Sequence, residues 1–221
     1  MTPQRKRVWI TVALLAAFVL ATFGMTFWNH HQADEPGQLG QAPDLTEHNA
    51  YIYDEPRAIR SFELTNEQGE TVTEDILKGH WTIAFVGFTY CPDICPATMA
   101  TLSRVMNTLS DQQARPRILF ISADPVRDTP EQLERYISFF GDDFHGVTGD
   151  YNTLEALARD LNAVFMHSEN RDGDVIVDHS SHLALIAPDG TFAGVIQTPL
   201  DAEQIKVVYE ALEDWHPTSR S

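Results

Sequence analysis

Two short apolar runs separated by a helical pattern constrain the fold of this chain more than any other feature. Residues 83–88 and 118–121 carry no charge, as is typical of strands that are covered on both faces of a sheet. The apolar residues between the two runs recur at the i, i+3, i+4, i+7 spacing of one helix face: Leu102, Val105, Met106 and Leu109. This order of strand, helix and strand predicts an α/β fold.

Further elements are predicted around this unit. Thr129 followed by Pro130 is typical of a helix N-terminus, and Gly141 of the end of that helix. The other predicted elements are a hairpin (62–64 and 71–73), a third helix (154–161), two strands (183–186 and 192–196) and a last helix capped by Asp201. Together they predict a central mixed sheet that is flanked by helices.

An uncharged apolar stretch near the N-terminus predicts a single transmembrane helix. As a helix, residues 8–28 would span roughly 30 Å, the thickness of a bilayer core. Residues 1–28 hold three basic side chains, all before the stretch, and no acidic one, whereas acidic residues follow the stretch, which predicts a cytoplasmic N-terminus. An uncleaved anchor is favoured over a signal peptide, because the run is long and no A-x-A site ends it. The short leader favours a bacterial inner membrane with the C-terminal domain in the periplasm.

The composition of residues 29–221 divides them into a tether, a folded domain and a tail. Residues 29–53 are polar with proline and glycine and are interpreted as a flexible tether, residues 54–216 as the folded domain and residues 217–221 as a tail. The net charge of −17 would repel phosphate backbones, so we expect no nucleic-acid partner. Met99, Met106 and Met166 form no methionine array and are expected in the core.

The two cysteines, Cys91 and Cys95, follow the first buried run and precede the first helical pattern. Sites of α/β proteins lie at such junctions, and a helix N-terminus stabilises thiolates. The spacing places both sulfurs on one side, where they could form a disulfide or bind one soft metal ion. An inert structural disulfide is the alternative, but the position at the junction favours a reactive pair. Cysteines at this place in this order of elements are typical of a thioredoxin-like (peroxiredoxin-like) domain.

A histidine would complete a metal site. His179 is favoured, because it precedes a buried strand and the corresponding loop approaches the cysteine turn in thioredoxin-like domains. His182 lies three residues further and should point to the other face. His80, His145 and His167 are each expected to be structural or solvated. Two thiolates and one imidazole suit copper as Cu(I) or Cu(II), whereas zinc usually takes a fourth ligand.

Four motifs in this order make the chain similar to the Sco/SenC family: residues 91–96 (CPDICP), 122–130 (SADPVRDTP), 178–180 (DHS) and 188–190 (PDG). The resemblance covers roughly residues 45–215. It implies a membrane-anchored, thioredoxin-like copper protein that helps assemble the binuclear copper centre of cytochrome c oxidase.

The resemblance also assigns residues. It implies that Cys91 and Cys95 are thiol ligands of copper and that His179 is the imidazole ligand, with Asp124 and Asp178 in supporting positions. A carboxylate at position 124 could equally cap the turn after its strand.

Several functions are compatible with these residues. The leading hypothesis is a metallochaperone that passes one copper to the copper-bearing subunit of cytochrome c oxidase, with another periplasmic copper chaperone or a thiol reductant as a further partner. This would be a carrier and not an enzyme. The alternative is a thiol–disulfide oxidoreductase that keeps the cysteines of the acceptor reduced through a Cys91–Cys95 disulfide.

Details of the sequence argue against other enzymes of this fold. General reductases carry C-x-x-C and a proline before the facing strand, whereas this chain has C-x-x-x-C and Ser181-His182. A peroxidase is disfavoured, because Phe88 and not threonine stands three residues before Cys91.

Overall fold

An eight-stranded mixed sheet forms the centre of the part described by the computed structural model, residues 42–109, 114–169 and 175–215. Its strands, in chain order, are β1 (Ala50–Ala58), β2 (Glu63–Asn66), β3 (Thr71–Thr73), β4 (Thr82–Gly87), β5 (Arg117–Ser122) and β6 (Phe144–Thr148), then β9 (Leu183–Ile186) and β10 (Thr191–Ile196). The strands β7 (Phe165–Glu169) and β8 (Val175–His179) pair separately as an antiparallel hairpin.

The strand order in the sheet is β1-β10-β9-β4-β5-β6-β2-β3. The central strands β4, β5 and β6 are parallel, and the outer strands are antiparallel to their neighbours. The helices are α1 (Ile94–Thr108), α2 (Pro130–Ile137), α3 (Tyr151–Asp160) and α4 (Ala202–Trp215), with short 3₁₀ helices at Thr46–His48 and Glu74–Leu77. The predicted mixed sheet with flanking helices is therefore confirmed.

Local sequence signals explain where the helices begin. The Thr129 hydroxyl accepts a hydrogen bond from the backbone N–H of Gln132, and Pro130 occupies the first position of α2. Asp201 likewise accepts the first free N–H groups of α4. Helix α2 ends at Ile137, before the predicted stop at Gly141, and the Phe140 ring packs beyond it against Phe144.

Four strands, β1, β6, β7 and β8, were not expected from the sequence. Strand β1 starts at Ala50, within the segment interpreted as tether, because its backbone pairs with β10 at the sheet edge. The sequence of hairpin β7–β8 shows little alternation of apolar and polar residues, because most of its side chains are exposed. The predicted burial of Met166 is wrong: it is 65% exposed on this hairpin, whereas Met99 and Met106 are buried.

The predicted transmembrane stretch 8–28 lies outside the described residues. Within the ranges that are described, no helix has the combination of length and hydropathy needed to cross a membrane.

A buried carboxylate joins the β2–β3 turn to β6. Glu67 is 5% exposed and accepts hydrogen bonds from His145 Nδ1 at 3.1 Å and from the backbone N–H of Gly146 at 3.0 Å. Burial alone would raise the pKa of Glu67, but these hydrogen bonds outweigh it and lower the pKa from 4.5 to about 2.

This depressed pKa predicts an acid-sensitive contribution to stability. The carboxylate stabilises the fold fully above its unfolded pKa of 4.5, and the contribution disappears as pH falls toward about 2. Between about pH 6 and about pH 3 we expect the wild type to lose about 2 kcal/mol more unfolding free energy than Glu67→Gln. Urea unfolding at both pH values measures this difference, and Glu63→Gln, an exposed acid on β2, should behave as wild type. Equal losses in Glu67→Gln and wild type would contradict the assignment.

Candidate metal centre

The structure brings Cys91, Cys95 and His179 together. Their ligand atoms, two sulfurs and one imidazole nitrogen, all lie within 4.8 Å of one another, and Cys95 Sγ is 3.4 Å from His179 Nε2. Among the described residues this is the one group of three or more His, Cys, Asp or Glu side chains close enough to hold a metal ion.

The junction between β4 and α1 positions the two thiols. After β4 the chain turns at Phe88, whose carbonyl accepts the N–H of Cys91 at 3.2 Å. Helix α1 then begins at Ile94, and the N–H of Cys95 donates to Cys91 Sγ at 3.5 Å. Cys95 is fully buried, whereas Cys91 is 9% exposed. The pair is present as two free thiols, so the predicted Cys91–Cys95 disulfide stays a prediction.

His179 is the last residue of β8, and its ring is oriented for metal binding. Its Nδ1 lies 2.9 Å from the carbonyl oxygen of Ser180, which can only accept, so Nδ1 carries the proton and Nε2 keeps its lone pair. Burial lowers the pKa of His179 and favours the neutral ring. Phe85 and Phe88 pack edge-on against the ring at 5.7 and 5.9 Å. The free nitrogen therefore points at Cys95 without rearrangement.

Burial also determines the protonation state of the second thiol, Cys95. Desolvation raises the pKa of Cys95, so its sulfur is protonated in the metal-free protein and donates toward His179 Nε2. A metal ion must displace this proton, because the thiolate is the ligand. Metal uptake is therefore coupled to proton release at this thiol.

The absence of a side chain at Gly87 makes room for the Cys95 sulfur. A Cβ at this position would lie 2.9 Å from Cys95 Sγ and 3.1 Å from the Phe120 ring. Neither neighbour can move away easily, since both are fully buried.

We therefore expect Gly87→Ala to displace the sulfur and to weaken copper binding about tenfold, with a stability loss of about 1–3 kcal/mol from overpacking. Copper titration and urea unfolding measure the two effects. Gly146→Ala is the matched control. Gly146 lies on β6 of the same sheet, and a Cβ there would meet the end of the Ile137 side chain on α2. This variant should lower stability without changing copper binding, and equal effects of both variants on copper would contradict the prediction.

The two predicted supporting acids lie outside the group of ligand atoms. The buried carboxylate of Asp124 pairs with Arg127 Nε. The backbone carbonyl of Asp124 accepts hydrogen bonds from the N–H groups of Arg127 and Asp128. It thus organises the turn after β5. Asp178 is exposed and, as the neighbour of His179 on a strand, faces the opposite side of the hairpin.

Sequence reasoning missed Asp128, a buried acid beside the cysteine turn. Its carboxylate accepts hydrogen bonds from the N–H and hydroxyl of Thr89 (3.1 and 2.7 Å) and from the Ser122 hydroxyl (2.7 Å). Gln132 Nε2 adds a bond to the Thr89 hydroxyl at 3.1 Å. This network fixes the chain two residues before Cys91. The only signal was its place in the segment 122–130, which does not distinguish Asp128 from Asp124.

Three of the other candidate histidines, His182, His145 and His167, have other partners. His182 Nε2 donates to the carbonyl of Leu161 at 3.2 Å, which agrees with the expectation that it points away from the cysteines. His145 pairs with Glu67, and His167 Nε2 lies 2.6 Å from the carbonyl oxygen of Ala123.

The donor set and its spacing fit a single soft metal ion. Metal–sulfur and metal–nitrogen bonds of about 2.3 and 2.0 Å place the ligand atoms of a trigonal three-coordinate site about 3.7–4.0 Å apart. Cys95 Sγ and His179 Nε2 are 3.4 Å apart and no two of the ligand atoms are more than 4.8 Å apart, so shifts of about 1 Å or less reach this geometry. Thiolates prefer Cu(I), and imidazole also suits Cu(II).

Comparison with known proteins finds a match to the SCO1/SenC family and relatives that are named for SCO1 or for copper binding. The sequence model of the SCO1/SenC family matches residues 52–213. A Stutzerimonas stutzeri protein provisionally named for copper binding is 36% identical over 171 residues, covering 77% of this chain and 84% of that protein. The mitochondrial SCO1 homolog 1 of Arabidopsis thaliana is 33% identical over 155 residues, covering 67% of this chain and 46% of that protein, so the chain spans about half the length of this relative.

A solved structure supports the same relationship. The crystal structure of Arabidopsis thaliana ScoI with copper bound matches with a TM-score of 0.65 and 32% sequence identity, over 71% of this chain and 98% of that chain. The mixed α/β architecture described above therefore matches thioredoxin-like Sco structures.

Proposed function

The chain belongs to the SCO1/SenC family, and from this premise we propose that it is a copper metallochaperone. It binds one copper ion through Cys91, Cys95 and His179 and passes it to an acceptor protein. The observation that carries this proposal is the convergence of two thiols and a correctly oriented imidazole within 4.8 Å. The copper bound to the related ScoI structure supports the choice of metal.

The different accessibility of the two thiols supports a direction for transfer. Cys95 is fully buried, whereas Cys91 keeps 9% of its surface exposed, so an incoming ligand has easier access to the copper from the side of Cys91. As the acceptor forms its bond to copper, the bond from Cys91 breaks first and those from Cys95 and His179 follow. No electron is transferred in this exchange, and the released Cys95 thiolate takes up a proton from the solvent, because burial raises the pKa of this thiol.

A copper titration of the reduced full-length chain, purified in detergent, tests the proposal. One equivalent of Cu(II) should bind tightly and give a sulfur-to-copper charge-transfer band and a paramagnetic-resonance signal of a thiolate-bound site. One equivalent of Cu(I) should bind tightly in competition with a chromophoric chelator. Absence of tight binding in both oxidation states would overturn the proposal.

The same thiols support a second candidate function. Cys91 Sγ accepts the N–H of Cys95 at the start of a helix and is the more exposed of the two sulfurs, so it is the thiol that a substrate disulfide can reach first. In a thiol–disulfide reductase, Cys91 attacks a substrate disulfide, and Cys95 then displaces the product thiol and forms the Cys91–Cys95 disulfide. Such activity needs no imidazole ligand. Reduction of an acceptor disulfide that survives in His179→Ala would therefore favour this function over copper delivery.

The proposed acceptor is the copper-bearing subunit of cytochrome c oxidase, with another periplasmic copper chaperone or a thiol reductant as a further partner. The sequence of residues 8–28 supports anchoring of the domain to a bacterial inner membrane, facing the periplasm. Membrane extraction of the expressed full-length chain and protease protection test this placement. Recovery in the soluble fraction would contradict it.

A further inference from the structure

The hairpin β7–β8 carries His179 but shares no ladder with the eight-stranded sheet in the described part of the chain. A two-stranded hairpin is marginally stable by itself, so its side chains must hold it on the domain. Phe165 and Val177 are buried and supply apolar contacts. Burial of apolar surface is not directional, so contacts with a defined geometry, hydrogen bonds above all, set the orientation of the hairpin.

His167 makes a directed contact of this kind. Its Nε2 lies 2.6 Å from the carbonyl oxygen of Ala123, and because a carbonyl only accepts, Nε2 carries a proton and donates it. The Tyr151 ring packs edge-on against the imidazole at 5.3 Å and orients it. Among the described residues, two hydrogen bonds join side chains of the hairpin to other elements: this one, and the contact of His179 with Cys95.

Ala123 connects this contact to the cysteine side of the site. It follows β5, is fully buried, and donates its N–H to the carbonyl of Gly87 at 2.6 Å. Gly87 in turn lies directly against the Cys95 sulfur. The backbone of Ala123 is therefore connected, through Gly87, to the strand end that packs against the Cys95 sulfur.

His167 and His179 project from the same face of the hairpin. In the register of β7 and β8, His167 pairs with Val177, and Phe165 pairs with His179. Side chains alternate along a strand, so His167 and His179 face the domain together, about two residues or 7 Å apart along the strands. A contact at one of them limits the movement of the other.

We propose that His167 is a positioning residue that holds His179 at bonding distance from copper by anchoring the hairpin to Ala123. This inference rests on the proposed copper-binding function. Loss of the anchor leaves both thiols in place and affects mainly the imidazole. Because soft thiolates hold Cu(I) well by themselves, Cu(II) binding should depend on the anchor more than Cu(I) binding does.

Two substitutions at position 167 test this proposal in the full-length chain. His167→Phe keeps the ring packing and removes the donor, whereas His167→Gln keeps an N–H donor that can reach Ala123. Both should fold, because residue 167 is exposed overall. We expect His167→Phe to weaken Cu(II) binding about tenfold and to shift or weaken the charge-transfer band, with a smaller change for Cu(I). A selective tenfold loss of Cu(II) affinity raises the one-electron Cu(II)/Cu(I) potential by about 59 mV.

The conservative variant and a control separate positioning from stability. His167→Gln should recover most of the Cu(II) affinity and the wild-type spectrum. His145→Phe removes a histidine contact on β6, with Glu67, and should lower stability while leaving the copper spectrum unchanged. If wild type binds copper and His167→Phe has the same Cu(II) affinity, spectrum and potential, the role of His167 is wrong and the proposed function stands. If wild type itself binds no copper, both are wrong.

Discussion

Replacement of Cys95 by serine is expected to remove tight copper binding. The serine hydroxyl fits the buried position next to His179 but does not form the soft thiolate that holds Cu(I). The apparent binding free energy of structural zinc in small four-ligand sites is roughly 10–16 kcal/mol, so each ligand contributes about 3 kcal/mol. By this measure Cys95→Ser should weaken copper binding by on the order of 100-fold or more. Competition with a chromophoric Cu(I) chelator measures the loss, and Cys91→Ser should show a loss of the same order.

The fold should survive this substitution, because serine is close in size to cysteine and its hydroxyl can donate to His179 Nε2. Thr98→Ser is the matched control, since Thr98 is also buried in α1 and lies one turn further along the helix. It should bind copper as wild type does. Unchanged Cu(I) affinity in both cysteine variants would show that the metal, if bound, lies elsewhere.

His179→Ala is expected to have its largest effect on Cu(II). The substitution removes the nitrogen ligand and leaves two thiolates, a set that still suits Cu(I). We expect Cu(II) affinity to fall by on the order of 100-fold, the charge-transfer band to weaken and the Cu(II)/Cu(I) potential to rise. Titration with Cu(II), optical and paramagnetic-resonance spectra and redox titration measure these changes.

His182→Ala is the control for this variant, because His182 lies three residues further and donates to Leu161 instead of facing the thiols. It should keep wild-type Cu(II) affinity and spectrum. The reverse result, with His182→Ala impaired and His179→Ala unchanged, would assign the imidazole ligand to His182.

Local sequence patterns were sufficient to predict the strands and helices that surround the cysteines. The apolar run of β4, the helical spacing in α1 and the cap at Thr129 each depend on neighbours within one or two turns. The position of Cys91 and Cys95 at a strand–helix junction follows from these patterns directly. This is why the mixed sheet and the place of the thiols could be predicted.

The partners of these thiols depend on contacts between distant parts of the chain. His179 was selected from five histidines by the loop that it occupies and by the family resemblance, but its 3.4 Å contact with Cys95 spans 84 residues of sequence. The hairpin that carries it was not predicted, because exposed side chains on most positions leave no alternating apolar pattern. Met166 was placed in the core because the methionines form no array, and it is in fact exposed on this hairpin.

The sequence by itself determined the alternation of strands and helices and the pairing of two cysteines at a helix start, since both are properties of adjacent residues. Only the tertiary structure decided which buried acid supports the cysteine turn and which histidine anchors the hairpin. Asp124 and Asp128 are four residues apart in one segment, yet Asp128 alone bonds Thr89, because the ends of β4 and β5 meet there. His167 likewise acquires its role from a carbonyl 44 residues away, which no local pattern specifies.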